Sequence, residues 1–182
     1  MPVKQLQWIV YASLLAALTA VGAYIPIPIG PVPIVLQNLF VLLAGLLLGG
    51  RWGFTSIGIY LLVGAVGMPV FTGGKGGVAH FIGPTGGYLI GFALCAFVTG
   101  WISEKASGRT SYDILAVIAG SLLVYVCGVP WLKAVTDMSW NKAVVAGMLP
   151  FLMGDALKAA LAVILARAIR PVLHRQLEAV SA

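Results

Sequence analysis

The chain has 182 residues, 60% hydrophobic and only 9% charged, with a mean hydropathy of +1.03; soluble domains carry about one quarter charged residues, so this composition belongs in a lipid bilayer. At about 20 apolar residues per span, the length accommodates about six spans in one membrane-embedded domain, residues 1–182. It leaves no room for a soluble catalytic or nucleotide-binding domain, so an ATP-driven step must come from another chain. The net charge of +6 is distributed over span ends and does not gather in one patch, which fits membrane flanks and argues against nucleic acid.

The first predicted span, Leu6 to Tyr24, is longer than the apolar stretch of a signal peptide and reads as an uncleaved helix. Its Ala12 and Ala16 put small residues on one face, a spacing equally suited to internal packing and to docking another membrane protein. Four prolines in Ile25-Pro-Ile-Pro-Ile-Gly-Pro-Val-Pro33 then remove backbone donors and force a rigid, extended loop. A second span, Ile34 to Leu48, carries Gln37 and Asn38 near its start. Gly49-Gly50-Arg51 turns the chain into a third span, Trp52 to Val66.

Between Pro69 and Tyr88 the chain is too glycine-rich to continue a helix and too apolar for an ordinary linker, which suggests a folded lid over something small. Lys75 stands there between two glycine pairs. A phosphate-binding loop needs Ser or Thr directly after its lysine, and Gly76 follows here instead. Lys75 is therefore read as an anion-pairing ammonium, with neighbouring glycines such as Gly74 exposing backbone N–H groups that cradle a carboxylate. His80, with no carboxylate or cysteine cluster around it, is read as structural or interfacial. Tyr88 offers a ligand either its hydroxyl or its ring face, or else anchors the membrane interface.

A fourth span, Thr85 to Ile102, closes at the polar segment Ser103 to Arg109, and a fifth runs from Tyr112 to Trp131. Lys133 to Gly147 reads as a loop with a short amphipathic helix anchored by Trp140, before Pro150 opens a sixth span ending near Arg167. No internal repeat is visible, which counts against inverted-repeat secondary carriers. With the N-terminus inside, Lys4, Arg51, Lys105, Arg109, Arg167, Arg170 and Arg175 are cytoplasmic, against Lys75, Lys133 and Lys142 outside. The positive-inside rule thus predicts an all-α, six-helix integral membrane protein with both termini cytoplasmic and its unusual loops external.

Asp155 and Lys158 lie about one turn apart on the sixth span and share a face. Ionisable groups inside a membrane are costly unless paired or facing a cavity, so the two either neutralise each other or mark a site. Gln37 and Asn38 suit a ligand or a neighbouring helix. Cys95 and Cys127 lie within apolar spans without a C-x-x-C pattern, so neither a disulfide framework nor a metal site is expected. Five acids and two histidines form no catalytic set, so an enzyme is not expected.

Taken in order, Pro31-Val-Pro-Ile-Val-Leu-Gln37, Leu42-Leu-Ala-Gly-Leu-Leu-Leu-Gly49, Phe71-Thr-Gly-Gly-Lys-Gly-Gly77, Gly83-Pro-Thr-Gly-Gly-Tyr-Leu-Ile-Gly-Phe92 and Pro150-Phe-Leu-Met-Gly-Asp-Ala-Leu-Lys158 resemble the BioY family. These are the biotin-specific substrate-capture subunits, or S components, of energy-coupling factor transporters. The resemblance implies a multi-pass protein of a prokaryotic plasma membrane that binds biotin near its external face, needs no cofactor, and associates with a transmembrane coupling subunit and a cytoplasmic ATPase pair. It also implies that Ala12 and Ala16 belong to the coupling contact.

Biotin's ureido N–H groups suit a carboxylate such as Asp155, and its ureido carbonyl suits an amide such as Gln37 or Asn38. Its valerate carboxylate needs a cation, which Lys75 or Lys158 provides. Its thioether bicycle wants apolar and aromatic walls. The family's loop is expected to carry arginine in some relatives, and lysine here implies single-point pairing instead of a bidentate fork. The alternatives are an S component for another vitamin, riboflavin or thiamine, and a secondary membrane carrier.

Overall fold

The computed structural model describes residues 3–27, 34–105 and 109–179. Helix α1 (Val3–Ala23) leads to a short antiparallel pair, β1 (Pro26–Ile27) and β2 (Ile34–Val35); the rest of the proline segment, expected as a rigid, extended loop, lies outside the described residues. Helix α2 (Gln37–Ala65) follows, then the glycine loop with its single-turn α3 (Ala79–Ile82), α4 (Gly86–Glu104), α5 (Thr110–Thr136), the short α6 (Trp140–Gly147) and α7 (Leu149–Ala179). Five helices among the described residues are long and apolar enough to cross a membrane, and α2 contributes two spans, which makes six.

The division of α2 falls at Gly49, whose φ of 79° and ψ of 179° lie outside the helical region and in a conformation open mainly to glycine. Its two arms fold back on each other. A Cβ on Gly53 would lie 3.0 Å from the Ala44 carbonyl oxygen, and Gln37 at one end reaches Tyr60 at the other. This hairpin is the centre of the molecule, with 67% of its most apolar stretch buried against 33% for α1. Helix α4 lies against the turn, where Gly100 packs directly on the Gly49–Gly50 backbone. Small residues here let backbones approach in the manner of lipid-embedded helix pairs.

Ala12 and Ala16, whose spacing suits internal packing or docking, are buried. Their side of α1 packs on the second arm of α2, where the Ser56 hydroxyl donates to the Ala12 carbonyl at 2.8 Å. The small-residue spacing serves packing within this chain, because removing side-chain bulk at 12 and 16 lets α2 come close.

Two helices outrun their predicted ends. Helix α5 passes through Pro130 to Thr136, so Lys133 is helical and lies over the Trp140 ring at 5.3 Å. Helix α7 continues through Pro171 to Ala179, with Leu173 and Leu177 buried and Gln176 accepting from the Tyr11 hydroxyl at 2.9 Å. Neighbouring helices sustain a membrane helix across a proline that would end one in water.

At the Gly49 end of the bundle, Arg170 turns inward. Its guanidinium donates to both carboxylate oxygens of Asp113 at 3.1 Å, to Ser103 Oγ at 3.1 Å and to the Leu46 carbonyl at 3.0 Å. Four helices are joined there.

Candidate ligand-binding site

The opposite end of the bundle holds a cavity of about 500 Å³ between the first turn of α2, the glycine loop, α4, α5, α6 and α7. Its volume falls within the range of small-molecule sites. Gln37, Asn38, Lys75, Tyr88, Asp155 and Lys158, predicted from four separate stretches of sequence, all line it. Gly74 does not. It adopts a φ of 69° in a tight turn, and its N–H is bound to the Phe71 carbonyl at 3.0 Å, so it has no free donor for a ligand.

Asp155 is the polar hub. Its Oδ1 lies 2.5 Å from Lys158 Nζ and accepts from Asn38 Nδ2 at 3.1 Å, while Oδ2 accepts from the Tyr125 hydroxyl. Asp155 and Lys158 are only 8% and 5% exposed, so each ion is compensated by its partner and by hydrogen bonds, as buried charges require. Lys158 also donates to the Val35 carbonyl at 3.1 Å, which ties β2 to α7. Both readings of the pair hold together: the two charges neutralise each other, and they do so on the wall of a cavity.

Lys75 differs in kind. It is exposed on the loop, forms no ion pair among the described residues, and points a cation at the same space. The loop is stitched down around it. The Tyr24 hydroxyl donates to the Pro69 carbonyl, Gly77 N donates to Gly64 O at 2.7 Å, and Thr72 Oγ1 donates to Gln37 Oε1 at 3.1 Å. Phe71 is buried between Tyr60, His80 and Phe81, with His80 stacked on it at 5.7 Å. Its ring occupies the space where Gly64 lacks a side chain, since a Cβ there would sit 2.1 Å from it. His80 is thus a packing residue that also borders the cavity.

Tyr88 contributes its ring, because its hydroxyl is bound to the Gly147 carbonyl at 2.8 Å. Phe92, Val124, Leu132 and Phe151 complete an apolar wall. Tyr60, Phe71, Thr72 and Tyr125 were not anticipated. For Tyr125 a signal existed, since a tyrosine deep in an apolar span needs a hydroxyl partner, though its spacing does not say which one.

A sequence model of the BioY family matches residues 1–175. The chain belongs to the BioY family. Among BioY relatives, it is 48% identical over 154 residues to the "Probable biotin transporter BioY" of Pyrococcus horikoshii, covering 85% of this chain and 90% of that one. It is 42% identical over 159 residues to the "Biotin transporter BioY" of Thermotoga maritima, covering 87% and 92%. In structure it is similar to the crystallised S-component for biotin from an ECF-type ABC transporter, with a TM-score of 0.85, 32% identity and 94% of each chain covered. Four of the five segments that carried the BioY resemblance line this cavity, the Gly-Asp-x-x-Lys stretch supplying Asp155 and Lys158 and the glycine loop Lys75, while Leu42–Gly49 forms the turn at the other end.

Proposed function

We propose that this protein captures biotin as the S component of an energy-coupling factor transporter, working with a transmembrane coupling subunit and a cytoplasmic ATPase pair. In this reading both termini are cytoplasmic and the cavity faces outward, as the distribution of basic residues favours. The observation that carries the reading is the pairing, within one largely apolar cavity, of a hydrogen-bonded carboxylate hub at Asp155 with a separate loop cation at Lys75.

Biotin has the same two-ended character. Its ureido N–H groups meet Asp155, and its ureido carbonyl accepts from Asn38 or the Tyr125 hydroxyl as these exchange partners with the ligand. Lys158 is paired with Asp155 and bound to Val35 O, so the valerate carboxylate falls to Lys75. The bicycle lies against the rings of Tyr88, Phe92 and Phe151. The cavity supplies binding and orientation, and any energy-requiring step belongs to the partners.

Purified protein is expected to bind biotin with nanomolar affinity, measured by calorimetry or by retained ligand, with excess riboflavin and thiamine failing to compete. Folded protein that does not bind biotin would overturn the proposal. Vesicles bearing this chain alone should not concentrate biotin, whereas accumulation without an ATPase would point to a secondary carrier.

A further inference from the structure

We propose that Gln37 acts as a positioning residue, a buried latch that fixes the glycine loop and so sets where Lys75 stands. This deepens the reading above and rests on it for the part Lys75 plays.

Gln37 borders the cavity but is only 2% exposed, and both ends of its amide are committed within the chain. Nε2 donates to the Tyr60 hydroxyl at 3.0 Å and Oε1 accepts from Thr72 Oγ1 at 3.1 Å. It therefore bridges three segments: the start of α2, the far arm of the same hairpin, and the loop. An amide suits this position because it offers a donor and an acceptor at once, where a carboxylate offers only acceptors when ionised.

What Thr72 holds is rigidly linked to Lys75. Phe71 N donates to Lys75 O at 2.9 Å and Lys75 N donates back to Phe71 O at 3.3 Å, closing residues 71–75 into one tight turn. Beside the stitches at Pro69 and Gly77, the turn itself has two side-chain anchors adjacent in sequence, the Phe71 ring buried over Gly64 and the Thr72 hydroxyl on Gln37. The ring fixes the depth of the turn, and the Thr72–Gln37 bond fixes its rotation about that ring. Without the bond, Lys75 swings with the turn and no longer meets a carboxylate at a set distance. The latch acts on one end of the ligand only.

The test uses full-length protein carrying Gln37→Met, which keeps the length and removes both hydrogen bonds, and Thr72→Val, which removes only the loop's half of the latch. In ligand-free protein, amide hydrogen exchange over residues 71–77 is expected to quicken about fivefold in both variants, as suits losing a bond worth roughly 1 kcal/mol, while the α4 and α5 amides keep their rates. Unchanged loop exchange in Thr72→Val, which leaves α2 intact even where Gln37→Met does not fold, would overturn the latch.

Binding then separates the latch from direct contact. Either variant should weaken biotin by no more than Lys75→Met does, about tenfold or less, yet leave its uncharged carboxamide within about twofold, and should add nothing further on a Lys75→Met background. Equal losses for acid and carboxamide, or additive losses with Lys75→Met, would also overturn it. Failure of the wild-type chain to bind biotin, with loop exchange still quickened by both variants, would remove the biotin reading and leave the latch standing.

Discussion

Asp113–Arg170 and Asp155–Lys158 are the same device used at opposite ends of one molecule: a carboxylate buried among helices and met by a cation from α7. At the Gly49 end, Asp113 is 0% exposed, takes two bonds from a guanidinium fork, and receives the Ser103 hydroxyl at 2.5 Å. Arg170 in turn reaches carbonyl and hydroxyl groups on α2 and α4. At the other end Asp155 is met by a point-charge lysine, an amide and a phenol, and every one of these borders the cavity. An arginine fork saturates its partner in fixed geometry, whereas ammonium, amide and hydroxyl groups reorient. Burial alone does not separate a structural ion pair from a recognition site. The difference lies in whether the partners face packed helices or open space.

The comparison is broken most forcefully at Arg170. Arg170→Met leaves Asp113 buried and unpaired, which is expected to cost about 3–5 kcal/mol and to appear as a large fall in the unfolding temperature in detergent. The fraction that still folds should bind biotin as the wild type does. Loss of affinity without loss of stability would show that the two ends are not separate.

Asp155→Asn makes the converse test. The neutral amide keeps the shape but withdraws the acceptor charge, so biotin affinity is expected to fall by roughly 30- to 100-fold, about 2–3 kcal/mol for a charge-assisted pair. The unfolding temperature should move far less than for Arg170→Met. Wild-type affinity in this variant, measured by calorimetry, would remove Asp155 from the site.

The smallest effect belongs to Lys75, whose cation is exposed and screened. Lys75→Met is expected to weaken biotin by about tenfold or less at low salt, and raising the salt should narrow the gap from wild type. A gap that persists at high salt would mean that Lys75 contributes packing and not charge.

Much of this arrangement was legible before the structure because membrane sequences expose their exceptions. Asp155, Lys158, Gln37 and Asn38 stood out as polar groups in apolar spans, and Lys75 as a charge among glycines. The Gly49 turn was readable because two glycines followed by arginine interrupt a continuous apolar run.

Asp113 and Arg170 were not recognised as a pair, since they lie 57 positions apart and each sits at a span end where charges ordinarily face water. Ala12 and Ala16 were ambiguous for a related reason: small-residue spacing records that something packs closely without saying which helix. Gln37 was seen as polar and interior, but its commitment to Tyr60 and Thr72 depends on a hairpin and a loop meeting in space. Helices α5 and α7 outrun Trp131 and Arg167 because a helix need not stop where its apolar stretch ends.

The α2 hairpin has a further consequence, for biogenesis. Because Gly49 reverses the chain within a single residue, there is no hydrophilic connector between the two arms for the insertion machinery to read. Arg51, exposed beside the turn, is the one basic residue between Gln37 and Ala65. By the positive-inside rule, that side chain is the hairpin's own charge signal for a cytoplasmic turn. A substitution at Arg51 is therefore expected to weaken that signal, leaving the flanking charges of the other spans to orient the hairpin.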